Sequence, residues 1–124
     1  MKILISNSSV EPIYEQIKNE IKRQIVTGEL SDGGALPSIR KLAMDLQISV
    51  ITTKRAYDDL EKERLITSVP GRGTFVAARN KALLREKKMK LIESKLGEAI
   101  SAAKLLGIKQ HELRQMLTVL LKED

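Results

Sequence analysis

The segment LPSIRKLAMDLQISVITTKRAYDDL, residues 36–60, contains the strongest signals for the fold of this chain. Pro37 cannot continue an earlier helix, and Ser38 is a residue type that caps the start of a new one. The apolar spacing after Ser38 lasts only about two turns before Ser49 supplies a second cap. We therefore predict two helices joined by a tight turn, with the second helix starting after Ser49.

Helical spacing divides the second of these helices into two faces. The residues predicted to be buried are Thr53, Ala56, Tyr57 and Leu60. Those turned outward are Ile51, Thr52, Arg55, Asp58, Asp59 and Lys62. Acidic residues crowd the back half of the helix (Asp58, Asp59, Glu61 and Glu63), so only its first turns suit a negatively charged partner.

The flanking segments complete a recognisable plan. Upstream, an amphipathic helix is predicted from Pro12 to Gly28, with isoleucines recurring every fourth residue. Downstream, the stretches 66–69 and 74–77 read as short strands joined by the loop Pro70-Gly71-Arg72-Gly73. A helix-turn-helix followed by a hairpin with a basic tip is a winged helix-turn-helix. The predicted fold class is therefore mainly α with a small β-hairpin.

A second pattern occupies the C-terminal part of the chain. From about Asn80 to Leu106 we predict one long helix that ends at Gly107, followed by a short helix to about Lys122. The apolar residues alternate spacings of three and four, as in helices that pack lengthwise. They are Met89, Ile92, Leu96, Ala99, Ala103 and Leu106, with Leu113, Leu117 and Leu120 in the last helix. Two helices cannot enclose a core alone, so we expect a homodimer; the alternative is that they fold back on their own winged helix.

Composition limits the function classes. The 124 residues carry a net charge of +6, contain no cysteine and include one histidine, His111. Disulfides, thiolate chemistry and thiolate zinc sites are excluded, and we expect no enzyme activity, no metal and no cofactor. No apolar run is long enough to span a membrane, and the N-terminus lacks the hydrophobic core of a signal peptide. We expect a cytoplasmic protein.

Five short motifs in order resemble the N-terminal domain of the GntR family of bacterial transcription regulators. They are Pro12-Ile13-Tyr14-Glu15-Gln16-Ile17; Gly28-Glu29-Leu30; Leu36-Pro37-Ser38-Ile39-Arg40-Lys41-Leu42-Ala43; Ala56-Tyr57 with Leu60; and Gly71-Arg72-Gly73-Thr74-Phe75-Val76. The short C-terminal part resembles the YtrA subfamily, whose members lack a large effector-binding domain. The resemblance implies a DNA-binding winged helix at residues 8–78 and a helical dimerisation domain at residues 79–124.

The resemblance also implies which residues bind DNA. These are Ser38, Arg40, Ser49, Ile51, Thr52, Lys54, Arg55, Arg72, Gly73 and Thr74. Their chemistry is suitable, because arginine forks match phosphate and guanine, and a helix N-terminus attracts phosphate. Lys54 flanks the buried face and has the alternative of lying over apolar surface.

Three positions depart from the family pattern. Val50 stands where many members carry arginine, and with Ile51 it would offer methyl contacts to thymine. Arg64 replaces the usual glycine after the recognition helix, and Gln47 replaces the usual turn glycine. The position of Arg64 favours a left-handed backbone, and we expect each substitution to cost up to about 1 kcal/mol of local stability.

The predicted function is a sequence-specific transcriptional regulator, expected to be a repressor. It would act as a homodimer on an inverted repeat in a double-stranded DNA operator, with any small-molecule effector unidentified. One alternative is a winged-helix module that binds proteins and not DNA. A second is a membrane-surface helix at residues 87–104, which its lack of tryptophan and phenylalanine disfavours.

Overall fold

A computed structural model of the chain describes residues 1–77 and 81–123. It divides into two compact units, Met1–Arg85 and Glu86–Asp124. The predicted domain boundary at 78/79 and the predicted helix start at Asn80 fall outside the described residues. The first unit also contains residues ahead of the predicted start at position 8, and among these Ile3 is buried in the core.

The first unit contains the predicted helices and hairpin. The helices are α1 (Ile13–Thr27), α2 (Ile39–Leu46) and α3 (Val50–Lys62). The strands are β1 (Ala35–Leu36), β2 (Ile66–Val69) and β3 (Gly73–Val76), in an antiparallel sheet of order β1-β3-β2. The sequence pattern predicted β2 and β3 but missed β1, because two residues ahead of a proline show no alternation.

The core forms where α1, α2 and the sheet pack around α3. Ile17, Ile21 and Ile25 of α1 are fully buried, and so is Leu60 of α3. The four residues predicted to be buried in α3 are all buried. Tyr57 donates a hydrogen bond from its hydroxyl to the Pro37 carbonyl (2.8 Å), and burial raises the pKa of that hydroxyl. This bond links α3 to the residue just before the α2 cap.

Two helices of this unit end on left-handed residues that are not glycine. Gln47 has φ 56°, and Ile48 donates back to the Ala43 carbonyl (3.0 Å). Arg64 has φ 61°, and Leu65 donates back to the Leu60 carbonyl (3.0 Å). Both are the helix-ending motif in which glycine is usual. The left-handed backbone expected at Arg64 is confirmed, and Gln47 adopts one as well.

The second unit is a pair of helices. It consists of the part of α4 (Lys81–Leu105) that follows Arg85, together with α5 (Gln110–Lys122). α4 ends as predicted next to Gly107, whose φ is 71°, and Ile108 donates back to the Ala103 carbonyl (2.9 Å). Within the described ranges, no helix is long and apolar enough to cross a membrane.

Candidate nucleic-acid interface

The N-terminus of α3 is capped and exposed. The Ser49 side-chain oxygen accepts a hydrogen bond from the Thr52 backbone N–H (3.1 Å) and lies 2.6 Å from the Thr52 hydroxyl. Ile51 is 81% exposed, although isoleucine is normally buried. Because free N–H groups and the helix dipole make this end positive, it can bind an anion beside an apolar side chain.

The back half of α3 holds its acidic groups in internal contacts. Lys54 pairs with Asp58 (2.6 Å), Lys18 of α1 with Asp59 (3.6 Å), and Lys22 of α1 with Glu63 (2.8 Å). The Ser68 backbone N–H donates to Glu61 (3.2 Å). Lysines of this unit therefore neutralise Asp58, Asp59 and Glu63, which would otherwise repel a phosphate backbone.

Lys18 is the most buried of these lysine side chains after Lys22. Burial lowers its pKa, but the hydrogen bond to Glu15 and the charges of Glu15, Asp59 and Glu63 outweigh burial, so the pKa is raised overall. Lys18 consequently stays charged at neutral pH and holds Asp59 against α1.

α2 presents a basic and apolar outer face. The Ser38 side chain caps the helix by accepting from the Lys41 backbone N–H (3.1 Å). Arg40 is exposed and makes no ion pair in the part of the chain that the structure describes. Met44 lies four residues later, on the same side of the helix, and is 76% exposed.

The hairpin tip is a tight turn closed by a hydrogen bond from the Arg72 N–H to the Val69 carbonyl (3.0 Å). Pro70 and Gly71 occupy its central positions, and Gly71 has φ 76°, as a type II turn requires. The Arg72 side chain is exposed, without an ion pair to any described residue. Next to it, Gly73 begins β3, and the half-buried Thr74 faces Ser68 across the hairpin with 3.5 Å between hydroxyl oxygens.

Arg55 of α3 contacts the first helix of the unit. Its guanidinium carbon lies 3.7 Å from the ring centroid of Tyr14, near the start of α1. Arg55 is exposed, whereas Tyr14 is half-buried and packs against the core. The sequence pattern marked Arg55 but missed this contact, because no local spacing relates residues 41 positions apart.

All ten residues predicted to bind DNA lie in the first unit, on α2, α3, their caps and the hairpin. Eight are exposed, and Thr52 and Thr74 are half-buried. Lys54 is exposed and pairs with Asp58 (2.6 Å). Met44 is an exposed neighbour of Arg40 that the sequence analysis did not single out, although the spacing of four residues on α2 indicates that the two share a face.

The residues predicted to form a dimer lie in α4, α5 and the segment between them. Leu96 is 45% exposed in the single chain, and Met89, Ile92, Leu106, Leu117 and Leu120 are also exposed. Ala103 is buried and Leu113 is half-buried, whereas Ala99 is exposed. The second unit therefore carries many large apolar side chains that it does not cover itself. No group of three or more potential metal-binding side chains occurs among residues 1–77 and 81–123.

Comparison with known proteins places the fold in a family. Residues 13–76 match the model of the bacterial regulatory proteins of the gntR family. The HTH-type transcriptional repressor YtrA of Bacillus subtilis is 35% identical over 115 residues, which are 93% of this chain and 88% of that protein.

Two solved structures are also similar. A GntR family transcriptional regulator from Listeria monocytogenes matches with a TM-score of 0.74 and 31% identity, over 92% of this chain and 97% of the other. The DNA-binding domain of AraR, crystallised with operator ORX1, matches with a TM-score of 0.55 and 31% identity, over 62% of this chain and 96% of that domain.

These matches cover both the winged helix and, for YtrA and the Listeria protein, the helical C-terminal part. The prediction of a regulator and not an enzyme is confirmed, because the family and these relatives are transcription regulators. The predicted winged-helix fold and the YtrA-like resemblance are confirmed as well. The chain therefore belongs to the GntR family of bacterial transcription regulators, in its YtrA-like subfamily.

Proposed function

We propose that the protein is a homodimeric repressor that binds an inverted repeat in an operator DNA sequence. The DNA-binding part of this proposal is carried by a contrast between cations in the first unit. Arg40, Arg55 and Arg72 are exposed without a carboxylate partner among the described residues, whereas Lys18, Lys22 and Lys54 are ion-paired. The three arginines lie on the elements that a winged helix directs at DNA.

In this proposal the N-terminus of α3 enters the major groove. Thr52 and Arg55 would contact phosphate or base edges there, and Ile51 would contact thymine methyl groups. The capping serines, Ser38 and Ser49, would donate to phosphates next to the helix ends that they cap. Arg40 lies on α2 in the position to reach a phosphate or a guanine edge.

The hairpin tip supplies a second contact region. Gly71 and Gly73 on either side of Arg72 would let the backbone approach a sugar-phosphate strand, and Arg72 would enter the minor groove or bind a phosphate. Thr74 would donate to a neighbouring phosphate. Because Lys54 pairs with Asp58, its main contribution would be long-range attraction of the DNA and not a direct contact with it.

Dimerisation would occur through the second unit, and residues 79–124 would form the dimerisation domain beside a DNA-binding domain at residues 8–78. The exposed leucines and isoleucines of α4 and α5 leave an apolar surface that a second copy would cover. Two-fold symmetry then requires an operator with two inverted half-sites, about 10 base pairs apart or a multiple of that distance.

The names of the relatives support repression. YtrA of Bacillus subtilis and NagR of the same organism are both transcriptional repressors, and NagR is 42% identical over 73 residues of this chain. The AraR domain binds operator DNA in its crystal structure. A protein with this role would work in the cytoplasm, where the bacterial chromosome is.

A genomic-fragment selection tests the proposal. Purified protein is mixed with fragmented DNA of the source organism, and the bound fragments are sequenced. We expect one or a few fragments to be enriched, each with an inverted repeat. Enrichment of asymmetric sites would contradict the dimer geometry, and the absence of any enrichment would contradict DNA recognition and favour a protein-binding winged helix.

A further inference from the structure

The contact between Arg55 and Tyr14 joins α3, the helix proposed to enter the major groove, to α1. The guanidinium carbon lies 3.7 Å from the centre of the tyrosine ring, well inside the range of a cation–π contact. Tyr14 is anchored, because its half-buried ring packs against the core, whereas Arg55 is exposed. The ring therefore offers a fixed platform to a side chain that would otherwise move freely.

The carboxylates that could compete for Arg55 are already occupied. Asp58 and Asp59 follow Arg55 by three and four residues, the spacing at which helix side chains pair. Lys54 binds Asp58 at 2.6 Å, and Lys18 lies 3.6 Å from Asp59. Arg55 consequently has no ion pair within the described ranges, and its positive charge is available to a ligand.

Stacking leaves the hydrogen-bonding edge of Arg55 open. The five N–H donors of a guanidinium lie in its plane, so an aromatic ring against one face blocks none of them. The Tyr14 hydroxyl makes no hydrogen bond with any described residue, so the ring and not the hydroxyl is the contacting group. A planar fork held in one orientation fits the two oxygens of a phosphate.

We infer that Tyr14 is a positioning residue for DNA binding, which holds the Arg55 guanidinium ready to grip a backbone phosphate. This inference rests on the proposed function and adds to it a residue of α1, outside the helix-turn-helix and the wing. Holding Arg55 before DNA arrives reduces the conformational entropy lost on binding. The gain cannot exceed the strength of the stack, so we expect about a two- to fivefold gain in affinity per half-site.

A double-mutant cycle on the full chain tests this inference. The probe is a labelled duplex that carries an inverted repeat from the genomic selection, and the measurement is fluorescence anisotropy at several salt concentrations. Arg55→Ala should weaken binding about tenfold or more per half-site and lower the salt slope by about one unit for each lost phosphate contact. Tyr14→Leu should weaken binding by the smaller factor given above.

The double mutant shows whether Tyr14 acts through Arg55. If Tyr14 acts through Arg55, Tyr14→Leu should have no further effect in the Arg55→Ala protein. Tyr14→Phe should bind like the unmutated protein, since the ring is kept and the hydroxyl has no role. An equal loss from Tyr14→Leu with and without Arg55 would overturn the inference, and so would full affinity in Tyr14→Leu.

One further variant covers the case in which Tyr14→Leu does not fold. Pentafluorophenylalanine at position 14 keeps an apolar ring of similar size but reverses its charge distribution, so the stack should weaken while the core stays filled. We expect the same two- to fivefold loss, and unchanged binding would overturn the inference. If the unmutated protein does not bind the selected duplex, the proposed function is overturned and the inference that rests on it is overturned too.

Discussion

Among the described residues, every buried hydrophobic side chain except Ala103 belongs to the unit Met1–Arg85. In Glu86–Asp124, large apolar side chains such as Leu96, Ile100 and Leu117 are exposed. The first unit thus has a core of its own around α3, whereas the second has two helices and almost no interior. Burial of apolar surface is the main stabilising term in folding, so we propose that the second unit packs on a partner surface, which the first unit does not require.

The same comparison holds inside the first unit on a smaller scale. Its exposed apolar residues include Met44, Val50 and Ile51, all at the end of α2 or the start of α3. We propose that two exposed apolar surfaces serve two partners: a second copy of the chain for the helical unit, and thymine methyl groups for α3.

The largest expected effect comes from a charge placed in the helical unit. Leu96→Glu should raise the dissociation constant of the dimer at least about a hundredfold, because an unpaired carboxylate would be buried in the interface. Sedimentation velocity measures the change. Ser94→Glu is the matched control, since it adds the same group two residues away, outside the apolar stripe, and should leave the dimer intact.

Thermal unfolding of the same Leu96→Glu protein tests whether the two units fold separately. The winged helix should keep its helical signal and a cooperative transition, because its core does not include Leu96. Loss of both signals together would show that the two units do not fold separately, and a dimer that survives Leu96→Glu would place the interface elsewhere.

Next in size are the arginine changes in the first unit. Arg40→Ala should cost about 1 to 3 kcal/mol of binding free energy and relax preference at one position of each half-site if it touches a base. Arg72→Ala should weaken selected and scrambled duplexes alike and reduce the salt slope by about one unit per lost contact. A gel-shift titration at several salt concentrations distinguishes them. Unchanged affinity in both proteins would mean that this surface does not bind DNA.

A smaller effect is expected at Ile51. Ile51→Ala should lower affinity for a thymine-containing site by about 1 kcal/mol per half-site, which corresponds to one or two methyl contacts. Replacing thymine by uracil in the duplex removes the methyl groups from the other side. The unmutated protein should bind the uracil duplex more weakly than the thymine duplex, whereas Ile51→Ala should bind the two duplexes almost equally. An equal loss of affinity in both proteins would contradict a contact between Ile51 and thymine.

The smallest effect concerns the left-handed residue after α3. Arg64→Gly should stabilise the protein by about 0.5 to 1 kcal/mol, because glycine adopts positive φ without a steric cost. Gly107→Ala, where φ is 71°, should destabilise α4 by a similar amount. Urea unfolding followed by circular dichroism measures both. Destabilisation by Arg64→Gly would show that the arginine side chain contributes more than its backbone costs.

Local signals in the sequence predict most of the first unit. The caps at Ser38 and Ser49, the buried face of α3 and the helix end at Gly28 all follow from residue type and spacing. The strand β1 does not, because Ala35 and Leu36 are a strand only through their pairing with Phe75 and Thr74. Burial of Ile3 is equally non-local, since the other members of its core cluster lie in distant segments of the chain.

The candidate interface divides in the same way. Motifs and helical spacing predict Arg40, Arg72 and the start of α3 as candidate DNA contacts. The stack of Arg55 on Tyr14 and the pairing of Lys18 with Asp59 were not, because each joins α1 to α3 across a long stretch of chain. Contacts of this kind depend on tertiary packing, which single-sequence patterns do not contain.

We propose that the helical unit dimerises the chain, so that two winged helices bind one inverted repeat. Sedimentation velocity with a labelled duplex carrying the selected site tests it most directly, because it measures how many chains bind each duplex. We predict two chains per duplex, and much weaker binding to a duplex with a single half-site. One chain per duplex, bound equally well to the complete repeat and to the half-site, would contradict the claim.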